Sequence, residues 1–328
     1  MKKFTFISAA ILLTLLSHIH AQTHSLVKKW ETDSIFKTPE SVLYDAKSQI
    51  LYVANMDPAS GDKGGKGSIA KVGLDGKVIS MNWVSGLTSP KGMGIYKNLL
   101  YVAELTNVAV IDIDKAQIIK RVAVEGAVFL NDITISKNGA VYVSDSRTLK
   151  VHRIEKGFVA TLLQNLKGPN GLLAVGNDLL VLDKGSLVKM LDNGQLATIS
   201  EGMDPTTDGI EMVKPNEYLV SCWNGVVYYI SANGEKEILL DTRAQKMNTA
   251  DIGYDKKNRI VYVPTFFRNK IVAYQLKYFE KFYCGLGWYT FFRVTHVYVL
   301  PPAAFVRLQK ARSVKSQYKS CPTIVYFL

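Results

Sequence analysis

Residues 207–213 read TDGIEMV, and this stretch belongs to a set of six that share one register along the chain. The other five are PESVLYD at 39–45, PKGMGIY at 90–96, LNDITIS at 130–136, PNGLLAV at 169–175 and TADIGYD at 249–255. Their second residues are spaced by 51, 40, 39, 38 and 42 positions. A repeat of about 40 residues is typical of the four-stranded blade of a β-propeller. The repeat therefore predicts an all-β fold, a six-bladed β-propeller.

Each repeat continues with the same order of apolar runs and turns. A second apolar run follows the shared stretch, for example ILYVAN at 50–55 and RIVYVPT at 259–265. Further runs rich in Val, Ile, Leu and Tyr come after it, separated by turn sequences such as KNG, DNG and ANG. No part of residues 22–277 has the apolar spacing of an amphipathic helix. The pattern predicts three or four strands in each repeat.

The sixth repeat contains only three strands before Lys277. A blade that lacks its fourth strand would leave an open sheet edge. The stretch SLVKKWETD at 25–33 precedes the first repeat and has suitable alternation. We predict that it pairs into the last blade, so that an N-terminal strand closes a propeller domain spanning residues 22–277.

The two ends of the chain differ from the repeats. Lys2 and Lys3 precede an apolar run from Phe4 to Leu16, which is typical of a signal peptide covering residues 1–21 and predicts a periplasmic or secreted protein. An uncleaved membrane anchor is the alternative. Residues 278–328 hold 13 of the 34 aromatic residues and do not follow the repeat. We expect this basic-aromatic tail not to belong to the propeller domain; the alternative is an extension that binds a membrane or partner.

Charge and cysteine content exclude some classes of function. Of the net charge of +12, the tail carries +6 and the N-terminal lysines +2, so residues 22–277 carry only a scattered +4. Nucleic-acid binding requires a clustered basic face, and none is visible. Cys222 is the one cysteine outside the tail, so no disulfide framework is expected in the propeller. The sequence contains no G-x-S-x-G nucleophile motif, and the run GDKGGKGS at 61–68 is interpreted as a flexible loop at the channel mouth.

The second residues of the six stretches carry the chemistry. In a propeller the innermost strands line a central channel, so equivalent residues of all blades converge at one mouth. Carboxylates and carboxamides at that mouth would supply the hard oxygen ligands that Ca²⁺, Mg²⁺ and Mn²⁺ prefer. The alternative is that each Asn or Asp only caps a turn. The six residues are Glu40, Lys91, Asn131, Asn170, Asp208 and Ala250.

The motifs PES, LND, PNG and TDG, in this order, resemble those of the SMP-30/gluconolactonase/LRE-like family over about residues 30–277. The resemblance implies a divalent cation held by Glu40, Asn170 and Asp208, and Ca²⁺ is the first candidate. It also implies a role in substrate or water binding for Asn131. Sugar-lactonase members carry an Arg two residues before that Asn, where this chain has Phe129. The difference argues against a sugar-acid lactone as the substrate.

The function expected from these features is metal-dependent hydrolysis of a lactone or related ester, a small-molecule substrate. Asp208 would be a metal ligand and the general base, while Asn131 and Lys91 would orient the substrate. The alternative is a non-enzymatic exported propeller that binds a ligand or a protein around a structural cation. We expect no nucleic-acid partner and no integral membrane segment in the mature protein. His152, the histidine within the repeats, is expected to be structural, in a third strand away from the channel.

Overall fold

The computed structural model describes residues 23–57 and 66–278, together with the backbone of a hairpin at 281–284 and 287–290. Ser25–Lys277 form one compact unit, and the hairpin belongs to a second unit. The predictions for residues 1–21, and those for most of the tail and of the 61–68 loop, lie outside the described residues. They stay predictions.

The described part of the first unit consists of 24 strands in six four-stranded antiparallel sheets, each of which is one blade. Blade 1 contains β2 (Pro39–Asp45), β3 (Ile50–Asn55), β4 (Gly67–Gly73) and β5 (Val78–Leu87). Blade 2 contains β6 (Met93–Tyr96), β7 (Leu99–Ala103), β8 (Asn107–Asp112) and β9 (Gln117–Ala123). Blade 3 contains β10 (Leu130–Ile135), β11 (Val141–Asp145), β12 (Lys150–Glu155) and β13 (Phe158–Leu163). Blade 4 contains β14 (Pro169–Val175), β15 (Asp178–Asp183), β16 (Ser186–Met190) and β17 (Leu196–Ser200).

Blade 5 contains β18 (Thr207–Lys214), β19 (Glu217–Cys222), β20 (Val226–Ile230) and β21 (Lys236–Asp241). Blade 6 contains β22 (Gly253–Asp255), β23 (Ile260–Pro264), β24 (Ile271–Tyr278) and β1 (His24–Glu31). Two short 3-10 helices, Arg243–Gln245 and Phe266–Arg268, lie in loops. The hairpin outside this unit pairs β25 (Lys281–Cys284) with β26 (Gly287–Thr290). The six-bladed propeller predicted from the repeat is confirmed.

The N-terminal strand closes the ring, as predicted. In blade 6 the strand order is β1-β24-β23-β22, so β1 takes the fourth, outermost position. The backbone N–H of Thr32 donates to the carbonyl of Ile271 at 3.0 Å just beyond the paired strands. The indole N–H of Trp30 donates to the carbonyl of Leu74 in blade 1 at 2.9 Å. The closing strand therefore completes one blade and also contacts the next.

The first strands of the blades surround the channel. They contact one another in a closed cycle through β2, β6, β10, β14, β18 and β22. Where blade 1 meets blade 6, Ser41 and Asp251 form a parallel bridge, and the N–H of Asp251 donates to the carbonyl of Glu40 at 3.0 Å. A Cβ added at Gly171 would overlap the backbone of Asp208 in the next blade. A glycine at this position lets the strands approach closely enough to bring the side chains of the mouth together.

The apolar core lies between neighbouring blades. In one cluster, Leu180 and Leu182 of blade 4 pack with Ile210 and Val220 of blade 5. Alternate residues of each strand point to opposite faces of its sheet, so apolar residues on both faces allow every blade to pack against two neighbours. Burial of these side chains is the main stabilising contribution to the ring.

A repeated hydrogen-bonded clamp fixes the loop that leads into several first strands. The carboxylate of Asp183, at the end of β15, accepts from the N–H groups of Lys167 and Gly168 at 2.8 and 2.7 Å. Asp145, at the end of β11, accepts in the same way from Val128 and Phe129. Asn55 and Glu104 take equivalent positions in blades 1 and 2. Each clamp holds the chain immediately before a mouth residue.

Candidate active site

A cavity of about 390 Å³ occupies one mouth of the channel. Five of the six aligned second residues line it; these are Glu40, Lys91, Asn131, Asn170 and Asp208. The sixth, Ala250, is fully buried and does not line the cavity. The structure thus brings every residue of the predicted site into one cavity. Their roles as ligands, substrate contacts and base stay predictions.

Two oxygen atoms at the mouth are buried without a hydrogen-bond partner: Oε2 of Glu40 and Oδ1 of Asn170. The amide nitrogen of Asn170 donates to Oδ1 of Asp208 at 2.9 Å, which fixes the orientation of both side chains. Buried polar atoms are rarely left unpaired in folded proteins. The pair of unpartnered acceptors therefore points to a ligand that accepts electron pairs from oxygen.

Lys91 is almost completely buried at 1% exposure. Its ammonium group lies 3.7 Å from the sulfur of Met56 and 4.5 Å from the ring centroid of Phe129, a cation–π distance. Burial holds the pKa of Glu40 and of Asp208 well above the usual range of carboxyl groups. The nearby positive charge of Lys91 offsets part of this rise.

Asn131 is held by a short chain of hydrogen bonds. Its amide nitrogen donates to Oγ of Ser146 at 3.1 Å, and that hydroxyl donates to the carbonyl of Pro169 at 2.7 Å. Asn131 in blade 3 is therefore linked to the residue just before Asn170 in blade 4. The amide is fixed before any ligand arrives, which suits a group that orients a substrate.

Three polar residues, Ser41, Asp132 and Asp251, lie one position further along the repeat, and the sequence pattern did not identify them. Asp251 accepts from Oγ of Ser41 at 2.5 Å. Asp132 accepts from the N–H of Leu172 at 2.6 Å and from its own neighbour Ile133 at 2.7 Å. Both aspartates follow a second residue of the repeat, so the same alignment read one column further would have found them.

These aspartates adjoin a smaller cavity of about 190 Å³ further along the channel, which Glu211 also lines. Burial raises the pKa of Asp251 to about 7, partly offset by the hydrogen bond from Ser41. Burial, with the charge of Asp251, raises the pKa of Glu211 to about 8. Burial and the charge of Asp251 likewise raise the pKa of Asp132. The channel thus holds more carboxyl groups than cationic side chains.

The outer wall of the mouth is apolar, and it too was missed. Met56, Trp223 and Phe266 line the cavity from the loops that follow the second strands of blades 1, 5 and 6. The rings of Trp223 and Phe266 meet edge to face with centroids 5.4 Å apart. The sequence could have indicated these wall residues, because each lies one or two positions after the second strand of its blade.

The mouth residues fit a hard divalent cation. Glu40, Asn170 and Asp208 offer oxygen atoms only, and two of these atoms lack a partner. No group of three or more His, Cys, Asp or Glu side chains that could hold a metal ion occurs in the part of the chain described by the structure. The predicted set differs from such a group because one of its three members is an amide.

His152 lies in β12, the third strand of blade 3, and is buried, as expected. Its Nδ1 is 3.3 Å from the hydroxyl of Thr161, and burial lowers the pKa of the imidazole. Cys222 is a buried free thiol, and burial raises its pKa. Within the described ranges, no helix has the length and apolar character needed to cross a membrane.

Known structures share this architecture. A streptogramin B lyase superposes with a TM-score of 0.58 at 12% identity, covering 78% of this chain and 98% of that one. A "putative gluconolactonase" gives 0.59 at 14% identity, covering 78% and 93%. An inactive His-to-Ala variant of virginiamycin B lyase from Staphylococcus aureus, in complex with quinupristin, gives 0.57 at 12% identity, covering 77% and 99%. No protein-family model and no curated protein sequence matches the chain.

At these identities the comparisons establish the class of fold, a six-bladed β-propeller shared with propeller enzymes. They do not extend to a family or to an activity. The fold agrees with the resemblance to SMP-30/gluconolactonase proteins, and membership of that family stays a prediction.

Proposed function

We propose that this protein is an exported hydrolase that opens a lactone or related ester at the channel mouth with the help of a divalent cation, Ca²⁺ first. The observation that carries the proposal is the pair of buried, unpartnered oxygens of Glu40 and Asn170 beside Asp208. Glu40, Asn170 and Asp208 would hold the cation. When bound, the cation would supply Lewis-acid polarisation of the scissile carbonyl.

The protein's own side chains account for the proton transfer. Asp208 lines the mouth, and its carboxylate is the group there that would accept a proton from the attacking water. In the proposed reaction a water oxygen bonds to the carbonyl carbon while Asp208 takes the water's proton. The carbon–oxygen bond of the ester then breaks, and the proton passes to the leaving alkoxide. The product of a lactone is one hydroxy acid.

Lys91 and Asn131 would position the substrate. The Lys91 ammonium is held between Met56 and Phe129, where a low local dielectric strengthens its attraction for developing negative charge. Asn131 is fixed through Ser146 and lines the same cavity.

The lyase comparison suggests a second type of chemistry, which the site does not favour. In the described structure, no histidine lines the mouth cavity. A variant of virginiamycin B lyase is inactive after loss of one histidine. That histidine has no counterpart among the described residues that line this mouth, and hydrolysis by carboxylate and amide groups fits these residues better.

The test combines metal binding with hydrolysis. Asp208→Ala should abolish Ca²⁺ binding measured by calorimetry and abolish lactone hydrolysis, because one of two charged ligands is lost. Circular dichroism should show an unchanged β-rich fold. The exposed Asp192→Ala is the matched control and should behave as wild type.

A chelator should remove the activity of the wild type, and added Ca²⁺ should restore it. Ca²⁺ binding without hydrolysis of any lactone or ester in a panel would favour a non-enzymatic propeller with a structural cation. Unchanged Ca²⁺ affinity in Asp208→Ala would contradict the proposed metal site.

A further inference from the structure

The two ends of the mouth cavity differ in chemistry. The floor carries the carboxylates, amides and ammonium of the proposed site. The wall consists of apolar side chains: Met56, Phe129, Pro205, Trp223 and Phe266. Both groups line one cavity of about 390 Å³, so a ligand whose carbonyl lies at the floor also comes into reach of this wall.

Several polar groups that line the cavity beside the wall already donate hydrogen bonds to acceptors of the protein. The amide of Asn131 donates to Ser146, and that hydroxyl donates to Pro169. The amide of Asn170 donates to Asp208. The hydroxyl of Thr206 donates to Asp204 at 2.7 Å. The hydroxyls of a polyhydroxylated ligand would find partners mainly at the floor, and those placed against the apolar side chains of the wall would lose hydrogen bonds to water.

The aromatic part of the wall is held rigidly. Phe266 has a φ of 48°, in the left-handed region that non-glycine residues rarely adopt. The surrounding loop maintains this conformation: Oγ1 of Thr265 donates to the carbonyl of Lys270 at 2.9 Å, and Arg268 donates to the carbonyl of Gln245 at 2.7 Å. Phe266 also packs against Trp223. A ring held in an unfavourable backbone conformation is a feature often found in binding sites.

We infer that the ligand of this mouth carries an apolar aryl substituent beside its lactone or ester group. The inference rests on the proposed function for the carbonyl end and goes beyond it for the other end. Aromatic rings stack or meet edge to face with an aryl group and gain more than from area burial alone. A cavity of about 390 Å³ lies near the lower limit of roughly 300–1,000 Å³ for small-molecule sites, so the ligand is small.

The test uses lactams, which resist hydrolysis, so that binding is measured without turnover. Calorimetry with Ca²⁺ present would compare 5-phenylpyrrolidin-2-one, 5-(hydroxymethyl)pyrrolidin-2-one and gluconolactam. We expect the phenyl lactam to bind at least about tenfold more tightly than either polar lactam. Ca²⁺ affinity is measured separately, so that failure of the proposed metal site is distinguished from failure of this inference.

Variants of the wall make the test specific. Phe266→Gly removes the ring while glycine adopts the left-handed backbone without strain, so folding is preserved. It should weaken the phenyl lactam about tenfold and leave the hydroxymethyl lactam unchanged. Trp223→Ala should do the same, while Trp223→Phe should retain most of the affinity. Phe158→Ala, at a position that is 80% exposed in blade 3, is the matched control.

Three results would overturn the inference. Tighter or equal binding of gluconolactam is the first. Unchanged phenyl-lactam affinity in both Phe266→Gly and Trp223→Ala is the second. Absence of binding of all three lactams to folded, calcium-loaded wild type is the third.

Discussion

Glu40 and Asn170 each place a buried oxygen at the channel mouth that no group of the protein satisfies. A buried acceptor without a partner costs about 1–3 kcal/mol relative to a paired one. Each atom therefore lowers the stability of the ligand-free protein and raises the free energy available to a ligand that satisfies it. This balance is typical of a binding residue and differs from that of a turn cap such as Asp45, which pairs with two backbone N–H groups.

Glu211 provides a pH test at the scale of one residue. Its folded-state pKa of about 8 exceeds the ordinary value of 4.5, so the folded state holds more protons between these values. Stability is therefore greatest below about 4.5 for this group and falls as pH rises to about 8. Glu211→Gln lacks this loss of stability. The melting temperature of the variant minus that of wild type should therefore increase as pH rises from 5 to 8.5, measured in buffer with a chelator.

The fall of melting temperature with rising pH should become smaller in Glu211→Gln without disappearing. Burial also raises the pKa of four other carboxyl groups, those of Glu40, Asp132, Asp208 and Asp251. Glu201→Gln, at an exposed position, should keep the full wild-type slope. Parallel melting curves for Glu211→Gln and wild type over the whole pH range would show that Glu211 titrates normally in the folded protein.

The sequence predicted the mouth residues because they occupy one column of the repeat. Asp251 and Asp132 occupy the next column, where the other four residues are Ser or Gly, so the column does not stand out by composition. Phe266 was harder to find. Its place on the wall depends on a loop conformation with positive φ, and no pattern of residue types specifies that conformation.

At the scale of one strand, β1 is the element whose loss should have the largest effect. It supplies the outer edge of blade 6, and Trp30 links it to blade 1. Deleting residues 25–33 should expose the edge of β24 and lower the melting temperature of the whole ring, because six blades pack in a closed cycle. A peptide of residues 24–33 added in trans should recover part of the loss by strand addition. A melting temperature equal to that of wild type would exclude β1 as the closing strand.

The clamp at the end of β15 can be tested in the same way. Asp183→Ala removes the carboxylate that accepts from Lys167 and Gly168, next to Asn170. Hydrogen bonds to a charged group contribute about 1.5–3 kcal/mol, so the free energy of unfolding should fall by about 2–3 kcal/mol. Ca²⁺ affinity should also fall, because the loop that positions Asn170 is loosened. Urea unfolding and calorimetry measure the two effects.

Asp178→Ala, at an exposed position on the same strand, is the matched control for Asp183→Ala. A loss of stability with unchanged Ca²⁺ affinity would show that the clamp supports the blade without positioning the mouth. The repeat did not predict the clamps, since Asn, Glu and Asp share this role at the ends of β3, β7, β11 and β15. These three residue types have in common a side-chain oxygen that accepts a hydrogen bond, and a comparison of residue types does not show this common feature.

For the whole molecule, closure explains why the fold could be predicted well from one sequence. Each blade buries apolar faces against two neighbours, so all six blades need the same alternating pattern, and the repeat becomes visible. The irregular 51-residue spacing of the first repeat reflects the ten-residue β5 and the long connection between β3 and β4. Such insertions leave the ring intact because they lie between strands of one blade.

Truncation can test whether the propeller needs the chain beyond Lys277. Since β1 fills the fourth position of blade 6, each of the six described blades already has its four strands without a later segment. A chain ending at Lys277 should therefore keep the melting temperature, the Ca²⁺ affinity and any hydrolase activity of the full chain. It should also be more soluble, because 13 aromatic residues and two cysteines, Cys284 and Cys321, are removed. Loss of folding on truncation would mean that residues 278–328 stabilise the propeller, and loss of activity alone would assign them to the mouth.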